Sequence, residues 1–433
     1  MSVLSLRAQR YVQCGGVVVA VLAVLASVAL ILRPARDADY HFGTLLTDPA
    51  SAHTEAGSGV QVAHLEVRWD RFEPQDDLFD TAYVSTLKST LGAFKKAGME
   101  VEAGITIHSP PMWLQERPEA AFVDQYGDRF SGAPNVVFSQ SVRLEVQEYI
   151  DRFAQELELD SFWAIRIGVS ETGEFSYPPA SVEEGRKNSF WAFDTRAQGA
   201  PGTADRPPAI PPNPLPGWGP GERTAGGGTV TRADVAAWFD WYHHALAQAV
   251  NWQIGHYKAL GYQGRIKILL PGTGIRPYEY EEVIDSHLDG SALPDLAGRG
   301  VGYFRSLAAI HDNHNIEIVS TSLVDGSGEP RDNGCSPSDQ EHLLLDPSRS
   351  DIIHNWSSVR WIANLARYYG FAMNGESAGP QVQPYYDGVM NDAAHQMTSC
   401  GLGGLMWAFD KNLYDGTPGS SLKEYAEVIE QLT

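Results

Sequence analysis

The chain has 433 residues, with 54 acidic against 32 basic side chains and a net charge of −22. That balance excludes a nucleic-acid binder that works by phosphate neutralisation, because no segregated basic patch offsets the repulsion. With 43% hydrophobic and 20% charged residues, the chain is neither disordered nor collagenous and can bury a large core.

The first element is an uncharged apolar run, Cys14 to Leu32, preceded by Arg7 and Arg10 and followed by Arg33 and Arg36. At the helical rise its length corresponds to roughly 28 Å, about one bilayer core. The extreme N-terminal position and the arginine flanks predict a signal anchor over 14–32. Residues 1–13 are then a short cytoplasmic tail, 33–40 a linker and 41–433 an extracytoplasmic domain. Cleavage after Ala29, with Ser27 and Ala29 as the small residues, is the secreted alternative. Cys14 falls inside this run, which leaves Cys335 and Cys400 for the exported part. In an oxidising compartment these two either pair or remain buried thiols. With no CxxC pair and no HExxH, the sequence carries no dedicated zinc motif, and no cofactor is expected.

After residue 40, apolar runs of strand length alternate with amphipathic runs of helix length. The strands are expected over His41–Leu46, Val62–Trp69, Val101–Ile107, Trp163–Val169, Arg265–Leu270, Ile316–Leu323, Gly370–Met373 and Gly404–Ala408. The helices are expected over Thr81–Ala97, Ser141–Leu157, Asp234–Leu260, Tyr303–Asn313, Ser357–Tyr369 and Ser421–Leu432. Strands separated by helices imply βα units and a parallel sheet, and eight such strands imply closure into a single-domain α/β (β/α)8 TIM barrel. The Gly- and Pro-rich stretch from Pro178 to Arg232 reads as a long loop after the fourth strand. Trp191, Phe193 and Trp218 argue against a mere linker.

In such a barrel, residues just past the C-terminal ends of the strands face a common pocket. Strand two ends in Trp69 and Glu73, and strand three in His108, Pro110, Pro111 and Trp113. Strand four ends in Glu171, Glu174 and Tyr177, strand six in Asp325, strand seven in Asn374 and Glu376, and strand eight in Trp407 and Asp410. A glutamate after strand four, another after strand seven and tryptophan walls suit glycosidic-bond hydrolysis. One carboxylic acid protonates the leaving oxygen while a second carboxylate attacks or stabilises the oxocarbenium-like centre. Trp69, His108, Trp113, Tyr177, Asp325, Asn374, Trp407 and Asp410 are the candidate sugar contacts.

WDRFEP with DLFD, then GITIHSPPMWL and PEAAFVDQYGDRF, resembles the N-terminal half of clan A glycoside hydrolases, especially the family 42 β-galactosidases. Where that family has Asn-Glu at the end of strand four, this chain has Ser170-Glu171. The adjoining GEFSYP resembles the GELRYP motif of family 14 β-amylases, whose Glu is the catalytic acid, and WFDWYHHAL resembles a helix of both families. NGESAG resembles the nucleophile strand. The resemblance thus implies Glu174, ahead of Glu171, as the acid and Glu376 as its partner. Family 42 implies retention with Glu376 as nucleophile, and family 14 implies inversion with Glu376 as base. The implied protein is an exported, membrane-tethered, exo-acting glycosidase of a neutral glycan, with a carbohydrate as substrate, the membrane as a partner and no nucleic acid. A catalytically silent sugar-binding barrel is the competing class, and scattered histidines argue against a metal-dependent hydrolase.

Overall fold

A strand buried on both faces reads as a nearly continuous apolar run, and among the described residues eight strands, most of them of this kind, close into one parallel barrel. In chain order they are β1 (His41–Thr44), β2 (Val62–Arg68), β3 (Glu100–Thr106), β4 (Ala164–Ile167), β5 (Arg265–Leu270), β6 (Ile316–Leu323), β7 (Ala372–Ser377) and β8 (Gly404–Trp407). Each pairs with its sequence neighbours, and β1 closes on β8 with His41 opposite Gly404. The computed structural model describes residues 40–181, 188–200, 204–328 and 334–433. One compact unit runs from His41 to Leu432. The expected anchor over 14–32 and its flanks 1–13 and 33–39 lie outside the described residues. Among the described residues, no helix is long and apolar enough to cross a membrane.

Helices α1 (Thr81–Lys96), α2 (Gln140–Leu157), α3 (Arg232–Ala259), α4 (Pro277–Asp285), α5 (Ser358–Tyr368), α6 (Val389–Cys400) and α7 (Leu422–Leu432) are the longer helices among the described residues. Their starts follow local chemistry. Asp80, Ser139, Thr231 and Ser357 each accept hydrogen bonds from first-turn N–H groups that the helix itself leaves unsatisfied.

Two expected elements differ. The seventh strand starts at Ala372, not Gly370, and continues through Asn374, Gly375 and Glu376 to Ser377. Gly370, at φ +76°, takes the turn that ends α5. The weakly strand-forming Asn-Gly-Glu is held by its partners: Asn374 lies opposite Val319, Gly375 opposite Ser320 and Glu376 opposite Met406. A side chain at Gly375 would begin 2.8 Å from the terminal methyls of both Leu323 and Leu402, so a larger residue here would make these leucines shift. The helix expected over Tyr303–Asn313 is only a turn, Tyr303–Ser306, with a 3-10 segment Leu307–Ala309. Beyond it Asp312 and Asn313 bond backbone groups, Asp312 accepting from His314 N–H and Asn313 donating to Gly370 C=O, which competes with helix.

The long insert after β4 is anchored to α3 by aromatic side chains. Trp191 is fully buried, and its Nε1 donates to Pro178 and Pro179 C=O at 3.1 Å each. Its backbone N–H donates to the Tyr242 hydroxyl at 2.9 Å. Trp218 lies 5.5 Å edge-on from Trp238, and Trp238 stacks on Tyr242 at 5.3 Å. On the next connections, Cys335 and Cys400 form a disulfide with Cα atoms 4.7 Å apart, tying the β6–α5 connection to the end of α6. Trp238 sits in the middle of the aromatic cluster, so Trp238→Ala is expected to lower the unfolding free energy by about 3–5 kcal/mol in a urea titration. A loss under about 1 kcal/mol would show that the insert is not held by this cluster.

Candidate active site

Alternation along a barrel strand sends every second side chain inward. In β3, β4, β5 and β7 the inward positions hold Glu102, Arg166, Lys267 and Glu376. Their facing is shown by contacts that span the lumen: Arg166 on β4 donates to the Glu376 carboxylate on β7, three strands away. The Arg166 Nε lies 3.4 Å from Glu102 Oε1, and Lys267 Nζ donates to the other oxygen of Glu102. Lys267 also stands 4.4 Å over the Trp163 ring. A lower layer follows, in which Arg265 contacts Glu317 at 2.8 Å and Asn374 donates to the same carboxylate.

Above these layers opens a cavity of about 510 Å³, a size typical of small-molecule sites, lined by Glu66, His108, Arg166, Glu174, Asp325 and Glu376 among others. Its rim includes Leu46, Val382 and Phe409. Of the sequence-predicted residues, the structure brings Glu174, Glu376, His108 and Asp325 together here.

Glu174 is placed by its own loop. Val169 and Ser170 N–H donate to the Glu174 carbonyl at 2.9 and 3.1 Å, and Glu174 N–H donates to Ser170 Oγ at 3.1 Å. Gly173, at φ +75°, lets the loop turn, and a Cβ there would begin 2.7 Å from His108 Nδ1. The Glu174 carboxyl then accepts from two neutral hydroxyls, Thr321 at 2.8 Å and Thr172 at 2.7 Å. Glu376 has a different setting. Burial pushes its carboxyl up, the Arg166 guanidinium pulls it down by charge and hydrogen bond, and Glu174 and Glu102 push it up again, leaving it raised. Burial works against the Arg166 cation, but Glu376 and Glu102 outweigh it and hold its pKa above the ordinary value. For Glu102, burial is outweighed by Lys267 and Arg166, which keep the carboxyl below the usual range. His108 is pushed down to about 4 by burial and by Arg166 and Arg68, so at neutral pH its imidazole is uncharged.

Glu171 stands outside the cavity lining, half-buried, with Arg299 at 3.7 Å. Burial raises its carboxyl. Trp69 is buried behind the strand, donates from Nε1 to Glu73 at 2.8 Å and stacks on Tyr149 at 5.0 Å. Trp113 donates to the Glu73 carbonyl at 3.1 Å and meets Trp69 edge-on. These two tryptophans are thus linked through Glu73 and do not line the cavity. Burial, partly offset by the Trp69 N–H, pushes Glu73 up to about 7. Tyr177 stacks on Tyr242 at 4.0 Å within the insert's aromatic cluster. Trp407 follows inward-facing Met406, so it faces outward, donating to Ser420 Oγ at 2.9 Å and packing on Tyr385. Asn374 lies in the lower layer. Asp410 is buried against Glu55, which itself bonds Thr44, Ser51 and Tyr414.

Arg166, Glu66, Glu102, Lys267 and Thr321 are site residues that position past strand ends does not reveal. For the four charged residues among them, the available signal was a charge in the middle of a strand: such a group needs a buried partner. Among the described residues, no group of three or more His, Cys, Asp or Glu side chains is placed to hold a metal ion.

No protein-family model and no curated protein matches this sequence. Among solved structures, the catalytic domain of β-amylase from Paenibacillus polymyxa is similar with a TM-score of 0.57 at 18% identity, covering 92% of this chain and 100% of that one. The β-galactosidase from the psychrophilic Marinomonas ef1 is similar with a TM-score of 0.54 at 11% identity over 90% of this chain and 59% of that one. The polyextremophilic β-galactosidase from the Antarctic haloarchaeon Halorubrum lacusprofundi gives a TM-score of 0.54 at 14% identity, with coverages of 90% and 58%. This chain therefore spans less than two thirds of either β-galactosidase. The likeness shows a shared fold, the (β/α)8 barrel found in these clan A glycosidases.

Burial and the adjacent Glu55 push Asp410 up to about 8, so the folded protein keeps a proton that an unfolded aspartate loses near about pH 4. The stability from that proton is full below the lower value and is lost as pH rises through the higher one. The unfolding free energy is therefore expected to fall between about pH 5 and about pH 8, and to fall less steeply in Asp410→Asn. Identical slopes in wild type and variant would refute the shared proton.

Proposed function

We propose that the barrel is a glycoside hydrolase using two carboxyl groups, with Glu174 as the proton donor and Glu376 as the nucleophile. The observation that carries this reading is the placement of these two glutamates in one cavity in unlike surroundings. Glu174 meets the neutral hydroxyls of Thr321 and Thr172. Glu376 meets a guanidinium, which favours its charged form. Hydrolysis of an acetal needs that asymmetry, because one group delivers a proton to the leaving oxygen while the other supplies negative charge at the anomeric carbon.

The reaction then runs in two steps. Glu174 protonates the glycosidic oxygen as a Glu376 oxygen forms a bond to the anomeric carbon and the leaving group departs as an alcohol. Glu174, now ionised, removes a proton from water, which attacks the same carbon and releases Glu376 as carboxylate, with net retention. His108, uncharged, and Asp325 are positioned to bond sugar hydroxyls from the cavity wall. The charged layer beneath the cavity supports exo action, since a glycan enters from the mouth and ends against it. WDRFEP and PPMWL favour a β-galactoside-like substrate, in keeping with the shared barrel of the two β-galactosidases. The apolar run Cys14–Leu32 and the Cys335–Cys400 disulfide support an exported, membrane-tethered enzyme, because disulfides persist in oxidising compartments.

Aryl α- and β-glycosides presented to the full chain are expected to give turnover on a β-galactoside or a close analogue. Glu174→Gln and Glu376→Gln are each expected to reduce kcat/KM by about 10²-fold or more, while Glu171→Gln changes it only a few-fold. Loss of activity in Glu171→Gln with survival in Glu174→Gln would reverse the assignment of the acid. A folded wild type that binds sugar yet cleaves no aryl or natural glycoside would make the barrel a binding module.

A further inference from the structure

Arg166 has two carboxylate neighbours inside the barrel, Glu376 towards the cavity and Glu102 away from it. A guanidinium between two anions is free to serve either, and its hold on Glu376 depends on how strongly Glu102 competes. Lys267 decides that competition. It is buried, on the strand next to β4, and donates to the Glu102 oxygen that Arg166 does not face. Glu102 and Lys267 have side chains only 1% exposed, so no solvent screens them.

We propose that Glu102 and Lys267 form a charge-balancing pair that parks Arg166 against Glu376, making both of them positioning residues for the nucleophile. Lys267 satisfies Glu102 and leaves the Arg166 Nη2 to Glu376. Glu102, with Oε1 3.4 Å from the Arg166 Nε, stays the weaker partner of the guanidinium. Neither residue lines the cavity, so neither touches a substrate in it. The titratable groups near this set include Glu174, which raises Glu376, Tyr385, Tyr262 near Glu102, and the uncharged His64 and His108 beside Arg166. This assignment rests on the glycosidase reading for its catalytic consequence, but the positioning itself is measurable without turnover.

The test is a carboxyl ¹³C NMR titration of Glu376 in the full chain with labelled glutamate, the resonance being assigned by its absence from Glu376→Gln, alongside the pH–rate profile. Lys267→Met frees Glu102 to draw Arg166 away, so the Glu376 pKa and the acid limb of the profile are expected to rise by about one unit or more. Glu102→Gln removes an anion that raises Glu376, so both are expected to move down. The double variant Glu102→Gln with Lys267→Met loses both charges together and is expected to return close to wild type. It also keeps the test valid if the lone Lys267→Met fails to fold, since replacing a whole buried pair is often neutral for stability. Shifts of Glu376 in the same direction for both single variants, or no shift in Glu102→Gln, would overturn the proposal. Opposite shifts in a protein that cleaves no glycoside would uphold the positioning and overturn the hydrolase reading.

Discussion

The ion pair between Arg166 and Glu376 runs across the lumen of the barrel, and the arrangement of the site depends on it. A buried charge without a partner carries a desolvation penalty of several kcal/mol. Glu102, Arg166, Lys267 and Glu376 avoid that penalty only together, each supplied by a different strand. A one-residue slip of β3, β4, β5 or β7 would turn one of these side chains out of the lumen and strand its partners. The set therefore specifies register as well as charge. It also closes the barrel from below, so that the cavity above has a floor of fixed charge.

The neighbouring structure can be understood as support for the two carboxyl groups at the edge of that floor. Glu174 arrives on an irregular loop, and the loop is held by its own backbone bonds, by Gly173 against His108 and by Thr321 from β6. Just beyond it Phe175 and Tyr177 are buried, and Tyr177 joins the aromatic cluster through which the insert grips α3. A loop with no regular secondary structure thus presents a carboxyl group from a rigid base. Glu376 needs no such loop because β7 carries it directly. The constraint falls on the neighbouring position 375, where a Cβ would press on Leu323 and Leu402.

Much of this was legible beforehand, for physical reasons that differ by residue. Seven strands announce themselves as apolar runs. The seventh in order, β7, was displaced because Asn374, Gly375 and Glu376 are weak strand formers whose extended state is imposed by β6 and β8. Glu174, Glu376, His108 and Asp325 were found by position past strand ends. The same rule placed Trp69, Trp113, Tyr177 and Trp407 in the pocket, yet all four pack elsewhere. A residue at a strand end has two faces available, and the alternation that aims Met406 inward aims Trp407 outward. Asp410 and Asn374 lie one layer away for similar reasons, one against Glu55 and the other beneath the charged floor. Arg166, Glu102 and Lys267 were visible as letters but not as a network, because a contact across a barrel joins residues up to 210 positions apart.

The central claim is that Glu376, paired with Arg166, attacks the anomeric carbon. It is tested most directly by incubating the full chain with a 2-deoxy-2-fluoro β-galactoside bearing a good leaving group, then mapping the peptides by mass spectrometry. The account predicts a covalent glycosyl adduct on Glu376, absent from Glu376→Gln. An adduct on another residue, or release of product with inverted configuration and no adduct at all, would contradict it.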